Sequence, residues 1–303
     1  MIGGNLPSLR QLRHLVALAD SGHFGRAARA CHVTQSTLSA SIKELENLLQ
    51  ASLVDRTKRK VVLTPLGLET VERARRLLGE AEELVLAADS AREPLSGTIR
   101  LGVIPTIGPF LLPLVLPALR RAHPKLKLYL VEDLTARLVE QLHAGRLDIA
   151  LLALPCDCGN VESRILFEDP FRVAVRRGDP LAHEKIIDAE ALRPDDLLLL
   201  REGHCLRDHA LAACALDRTR GEAVEATSLH TLVQMVDNGL GMTLLPQLAI
   251  DGGILRGTKL VVRPLAGAAP GRRIGMIWRR GTGRRAEFDL LADELTALVK
   301  KRA

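Results

Sequence analysis

The apolar positions of the chain fall first into helical spacing. Leu9, Leu12, Val16 and Ala19 share one face of a helix that Ser8 and Gln11 open as a capping box and Ser21-Gly22 ends. Phe24, Ala27, Ala28 and Cys31 mark a second helix beginning near His23, and after a tight connection Thr34 is placed to cap a third. The third helix carries its apolar stripe on Leu38, Ile42, Leu45 and Leu49. Two short strands follow, residues 53–56 and 61–64, around the tip Thr57-Lys58-Arg59-Lys60. From Pro65 to about residue 92 the pattern steps by threes and fours through Val71, Ala74, Leu78, Ala81, Val85 and Ala88. A heptad seam on one exposed helix is expected to bury against a second chain, with Val71, Leu78, Ala81 and Val85 as dimerisation positions. Packing against the protein's own body is the alternative.

Beyond the Pro94-Leu95-Ser96-Gly97 hinge the period changes, and strands alternate with helices. Residues 99–104, 126–131 and 147–154 read as strands, 109–122 and 135–144 as helices between them. The rhythm resumes through strands at 171–175, 197–200 and 243–246 and closes with a strand at 274–278 and a helix at 284–300. Such alternation implies an α/β domain with doubly wound, mostly parallel sheet. Ligands in such folds sit at the carboxyl ends of strands, which gathers Thr106, Thr135 and the loop after Leu200.

Charge locates a partner. Of a net +6, residues 1–64 hold nine Lys/Arg against four Asp/Glu, leaving only +1 for the rest. A compact basic module points to a polyanion. Aromatic residues are 2% of the chain, too few for the stacking platforms that read single strands, so double-stranded DNA is the expected partner. Thr34, Gln35, Ser36, Thr37, Ser39 and Lys43 give the third helix a small, hydrogen-bonding leading end able to approach base edges. Arg56, Lys58, Arg59 and Lys60 suit a wing on phosphate. A solvated helix face has similar composition; the two alanines and the tight turn before it favour a reading helix.

Ala27-Ala28, Val33-Thr34-Gln35-Ser36, Ser39, Ile42, Leu45-Glu46, Arg56, Leu63-Thr64 and Gly67 together resemble the signature of LysR-type regulators. Gln50 departs from it, standing where the family commonly has a glycine, so the turn after the third helix is expected to differ locally. The resemblance implies an N-terminal winged helix-turn-helix (1–64), a dimerisation linker helix (65–93) and a hinge (94–97). It also implies a periplasmic-binding-protein-like effector domain of two subdomains, 98–167 with 273–303, and 168–272.

The segment Glu202-Gly203-His204-Cys205-Leu206-Arg207-Asp208, with Cys214 nine residues after Cys205, carries the candidate chemistry. Cys205 falls at the start of a predicted helix beside His204 and Arg207, where amides and cations favour a thiolate; Asp208 opposes this unless engaged. If the segment is helical, the two Cα atoms lie ~13 Å apart at 1.5 Å per residue. A disulfide needs about 4.4–6.8 Å, so pairing would require the segment to unwind. The string Gly-His-Cys-Leu-Arg-Asp and the run 104–109 resemble the peroxide-sensing branch of the LysR family. That likeness implies a hydrogen-peroxide-responsive activator, with Cys205 peroxidatic, Cys214 resolving, and His204, Arg207, Asp208, Thr106 and Thr135 around them. It further implies a homodimer or homotetramer, RNA polymerase as partner and a thiol reductant such as the glutaredoxin or thioredoxin system.

Two other readings stay open: a LysR-type regulator of a small organic effector bound in the same cleft, and a thiol peroxidase. An enzyme would not need the basic module. Neither a signal peptide nor a membrane-length apolar run is evident, and five cysteines in so long a chain suggest reduced thiols rather than a secreted scaffold, so a cytoplasmic protein is expected. No cofactor is expected. Cys31 reads as core, and Cys156-Asp157-Cys158 lacks the second half of a metal site, leaving no metal expected.

Overall fold

The computed structural model describes residues 6–56, 61–214, 225–266 and 271–301. The chain divides into two compact units, one built on residues 1–88 with 143–146 and one on 89–142 with 147–303. No helix among the described residues is long and apolar enough to cross a membrane.

In the first unit, α1 (Leu9–Ser21) begins at Ser8, whose hydroxyl accepts from the Gln11 amide while the Gln11 side chain accepts from the Ser8 amide; Gly22, left-handed at φ 60°, ends it. α2 (Phe24–Ala30) is capped by His23, whose Nδ1 accepts from the Gly25 amide at 3.0 Å. His32, at φ 55°, turns the chain into α3 (Gln35–Leu49), capped by Thr34. Leu15, Leu18, Ala27, Ala28, Leu38, Ile42 and Leu45 form the core with Leu53, Val54 and Val71. The small alanines let α2 sit closely against its neighbours.

Two expectations change here. Leu49 is exposed rather than part of the buried stripe. Gln50 keeps the left-handed cap expected of a glycine (φ 50°, ψ 37°), so the turn does not differ. A non-glycine side chain simply tolerates the strain there.

The hairpin is β1 (Val54–Arg56) antiparallel to β2 (Val61–Leu63). Glu46 ties it to α3: one carboxylate oxygen accepts the amides of Leu53 and Val54 at 2.8 and 3.1 Å. α4 (Pro65–Arg92) follows at once. Gly67 lets it approach, since a Cβ there would lie 2.1 Å from the Leu53 carbonyl oxygen.

The second unit holds β3 (Thr98–Val103), α5 (Gly108–Ala122), β4 (Lys127–Glu132), α6 (Thr135–His143), β5 (Ile149–Leu154) and β6 (Val161–Arg176). After them come β7 (Leu199–Leu200), α7 (Cys205–Ala213), β8 (Glu225–Ala226), α8 (Leu229–Asp237), β9 (Thr243–Pro246) and α9 (Gln247–Asp251). β10 (Leu260–Pro264), β11 (Gly271–Arg279) and α10 (Arg285–Lys300) complete it. The main sheet runs β10-β6-β11-β5-β3-β4, with β9 also on β6. Pairing is parallel for β3 with β4 and β5, and for β7 with β8, but antiparallel wherever β6 or β11 takes part. The sheet is therefore mixed rather than mostly parallel. β6 is the reason: its first part pairs β11, its second pairs β9 and β10, and one long strand so serves both halves of the domain.

A buried ionic cluster closes the start of this unit on its end. Arg284 Nε donates to Glu287 at 2.7 Å and its Nη2 to the Thr98 carbonyl, while Glu287 accepts the Leu95 amide at 3.0 Å. Asp148 accepts the Arg100 amide at 2.7 Å and lies 3.6 Å from Arg284 Nη1.

Candidate DNA interface and thiol centre

On α3 the buried and exposed faces separate as the pattern requires. Leu38, Ile42 and Leu45 point inward; Gln35, Ser36 and Lys43 are exposed, and Thr37 and Ser39 half-buried. Thr34 works chiefly as the cap: its hydroxyl accepts the Thr37 amide and sits 2.8–2.9 Å from the Thr37 and Ser36 hydroxyls. Ser36 is exposed but its hydroxyl is held by Thr34, so Gln35 and Lys43 are the exposed side chains best placed to reach a groove. β1 ends at Arg56; Lys58, Arg59 and Lys60 lie outside the described residues.

The seam on α4 divides. Val71 and Ala74 are buried, with Val71 in the unit's own core, so they are not left for a partner chain as expected. Leu78, Ala81 and Val85 instead line a groove of ≈ 740 Å³ with Leu9, Arg10, Arg13 and His14 of α1. Leu77, Leu84 and Val85 are exposed apolar side chains on α4. The apolar pattern could not separate the two uses, because one helix serves its own core near its start and leaves apolar surface further along.

In the second unit, β7 ends at Leu200 and the chain turns through Gly203 into α7. Gly203 has φ +95°, and a Cβ there would meet Leu134 at 3.4 Å, so this turn requires glycine. His204 caps α7 in extended conformation and Cys205 opens its first turn, as the sequence suggested. Leu206, Ala210 and Leu211 bury the inner face, and Cys214 caps the far end, buried. Cys205 and Cys214 are both free thiols. Nine positions apart along the helix, their Cα atoms lie roughly 13 Å from one another. Burial pushes the Cys214 thiol up to about 11.

A closed crevice, too tight for a water-sized molecule, brings Cys205, His204 and Gly203 together with Ile104, Pro105 and Thr106 after β3, and with Leu134 and Thr135 at the start of α6. Four of the seven sensor candidates therefore meet: Cys205, His204, Thr106 and Thr135. Arg207, Asp208 and Cys214 do not line the crevice. Arg207 Nη1 turns back to the Leu200 carbonyl at 3.3 Å, anchoring α7 to β7. The Thr135 hydroxyl is buried without a hydrogen-bond partner, and such a group is costly unless something pairs it. His204 is held below its ordinary value by burial first and by Arg201 second. It is therefore a neutral imidazole near pH 7, not the cation expected beside Cys205.

Sequence reasoning missed the residue that holds this wall. Arg272 on β11, fully buried, donates from Nη1 to the Thr106 hydroxyl at 2.7 Å and from Nη2 to the Thr106 carbonyl at 2.9 Å. Its Nε reaches Asp169 on β6 at 3.0 Å, and Asp169 also accepts the Leu248 amide at 2.8 Å. Burial pushes the Asp169 carboxyl up against the pull of Arg272 and the Leu248 amide. Because Thr106 Oγ1 accepts from Arg272, its proton points elsewhere and can be donated to a guest. His209, on α7, is likewise lowered, by burial first and Arg272 second. No local motif marks Arg272; 166 residues separate it from Thr106.

Cys156 and Cys158, expected as thiols, are joined in a disulfide. Cys31 is half-buried against the first unit's core.

Comparison with known proteins covers both units. Residues 9–68 match the bacterial regulatory helix-turn-helix protein family, lysR type, and residues 92–300 match the LysR substrate binding domain. The HTH-type transcriptional regulator EstR of Acinetobacter baylyi is 42% identical over 97% of this chain and 98% of its own length. A hydrogen peroxide-inducible genes activator of Dickeya chrysanthemi is 40% identical over 95% of this chain and 94% of its own. Among solved structures, a full-length OxyR variant from Pseudomonas aeruginosa superposes with a TM-score of 0.78 at 37% identity, covering 95% of this chain and 94% of that one.

Proposed function

Since this chain belongs to the LysR family of bacterial helix-turn-helix regulators, we propose that it is a hydrogen-peroxide-responsive transcription regulator. It binds double-stranded DNA through α3 and the wing, and Cys205 is its sensor. The observation that carries this reading is the crevice in which Cys205 faces two threonine hydroxyls, one free to donate and one with no partner. The crevice as it stands has no space for even a water-sized molecule, against the about 300–1,000 Å³ of ordinary small-molecule sites, which argues against a preformed organic-effector site; peroxide must part its walls slightly to enter.

The Cys205 thiolate attacks one peroxide oxygen. The S–O bond forms, the O–O bond breaks, and the departing hydroxide takes a proton to leave as water, giving a sulfenic acid. Thr106 and Thr135 orient the peroxide, and neutral His204 can accept or relay the proton. Cys214 then attacks the sulfenic sulfur, the S–S bond forms, and a second water leaves. That step requires α7 to unwind, because about 13 Å separates the two cysteines and a buried thiol at about 11 is a poor nucleophile until exposed. Unwinding strips Leu206 and Leu211 from the core, at roughly 1.5–3 kcal/mol each, and so remodels the domain.

The protein functions as a homodimer through α4, and as a homotetramer through a second contact between effector domains. Exposed Tyr129 and Leu130 on the edge strand β4 support that contact. Remodelling changes the geometry of the assembly on DNA, activates antioxidant genes with RNA polymerase, and is reversed by a cytoplasmic glutaredoxin or thioredoxin system.

The test treats reduced full-length protein with one equivalent of hydrogen peroxide and maps its thiols. Loss of free thiol at Cys205 and Cys214 is expected, with Cys214→Ser trapping a sulfenic acid at Cys205 that dimedone labels. Unchanged labelling of Cys205 would sink the reading.

A further inference from the structure

The loop between β5 and β6 contains chemistry that the peroxide site does not use. Cys156 and Cys158 flank exposed Asp157 just past the carboxyl end of β5, with Cα atoms 5.3 Å apart, inside the range a disulfide spans. Gly159, left-handed at φ 65°, follows directly and lets the chain turn back toward β6. Cys156 is half-exposed, while Cys158 is 4% exposed and packs in the core. One sulfur is thus open to attack and the other shielded, an asymmetry that directs thiol–disulfide exchange to Cys156.

We propose that Cys156 and Cys158 form a second redox site, independent of Cys205, that exchanges with low-molecular-weight thiols and disulfides of the glutathione class. In the reducing direction an incoming thiolate attacks the Cys156 sulfur, the Cys156–Cys158 bond breaks, and Cys158 leaves as a thiolate that takes up a proton. A second thiolate attacks the mixed disulfide, releasing Cys156 as a thiol and the small molecule as its own disulfide. Two small thiols are oxidised for one protein disulfide reduced, and the reverse sequence balances likewise.

The two cysteine pairs differ in kind. Closure of Cys205 on Cys214 requires about 13 Å of helix to be undone, whereas Cys156 and Cys158 are already placed in their own turn and can cycle within it. The strand that leads into the turn is linked through the sheet to the residue that holds the crevice wall. Leu154, at the end of β5, pairs with Arg273, and Arg272 beside it holds Thr106. The chain therefore holds a site for the thiol–disulfide balance as well as one for peroxide.

The experiment uses the full chain, both unaltered and as Cys205→Ser/Cys214→Ser, equilibrated without oxygen in glutathione buffers from fully reduced to fully oxidised. Samples are quenched in acid, blocked with N-ethylmaleimide and digested with trypsin. Cleavage after Arg146 and Arg164 releases both cysteines in one peptide with no other cysteine. The expected result in both proteins is a doubly labelled peptide at the reducing end. At the oxidising end it should be unlabelled and lighter by two hydrogens, with the same midpoint from either direction. A peptide doubly labelled throughout, one that ends as a glutathione adduct, or a disulfide that survives the reducing end overturns the proposal.

Discussion

Replacing Arg272 by methionine tests the wall of the crevice. The substitution keeps much of the side-chain volume but removes the donors to Thr106 and to Asp169, which are fully buried. Asp169 is then left with the Leu248 amide alone. Removing one member of a buried pair costs about 3–5 kcal/mol, because the other charge stays desolvated. Protonation limits that cost. Starting from an ordinary value of 3.8, neutralising the carboxyl takes about 4.4 kcal/mol at pH 7 and about 1.6 at pH 5, at 1.36 kcal/mol per pH unit.

A carboxyl raised in the folded state favours folding while it is protonated, and that advantage is lost as pH rises from 3.8 through the folded value. Without Arg272 the folded value moves further up, so the deficit against the parent grows with pH. Thermal unfolding of the reduced full-length protein should show the effector-domain transition lowered by roughly 10 °C at pH 7, at about 2–4 °C per kcal/mol, and by much less at pH 5. Adding Asp169→Asn, whose amide oxygen still accepts from Leu248, should abolish most of the pH dependence. A variant within about 2 °C of the parent at both pH values, or a gap that widens in acid, refutes the reasoning.

Other consequences can be measured directly. Gln50→Gly should stabilise the first unit by about 1 kcal/mol, because glycine adopts φ 50° without the left-handed penalty; a lowered midpoint in denaturant would contradict this. Gly67→Ala places a Cβ 2.1 Å from the Leu53 carbonyl oxygen and should destabilise the same unit by roughly 1–3 kcal/mol, with weakened operator binding; unchanged stability would mean that α4 can shift without penalty. Gln35→Ala should reduce discrimination between operator sequences, whereas Arg59→Ala should weaken binding to all sequences and lower the salt slope by about one. A change in base preference alone from Arg59→Ala would remove that residue from the wing.

Much of the molecule was legible from local pattern. Helix caps at Ser8 and Thr34, the period of α3 and the start of α7 at Cys205 are decided by residues within four positions of one another, so the sequence by itself determined them. The basic leading module and the two cysteines nine residues apart were equally plain. Tertiary structure decided what local spacing does not encode. Val71 and Ala74 belong to the module's own core although they continue the same seam as Val85. β6 runs through both halves of the effector domain because β11 covers one part of it and β9 and β10 the other, which makes the sheet mixed. Arg272 reaches Thr106 and Asp169 across more than a hundred residues, and Arg207 turns to the end of β7 instead of the crevice. A buried charge takes its partner from whatever the fold brings within about 3 Å. Hydrophobic period and turn chemistry thus determine which elements form and where they start, while only their packing decides which side chains meet.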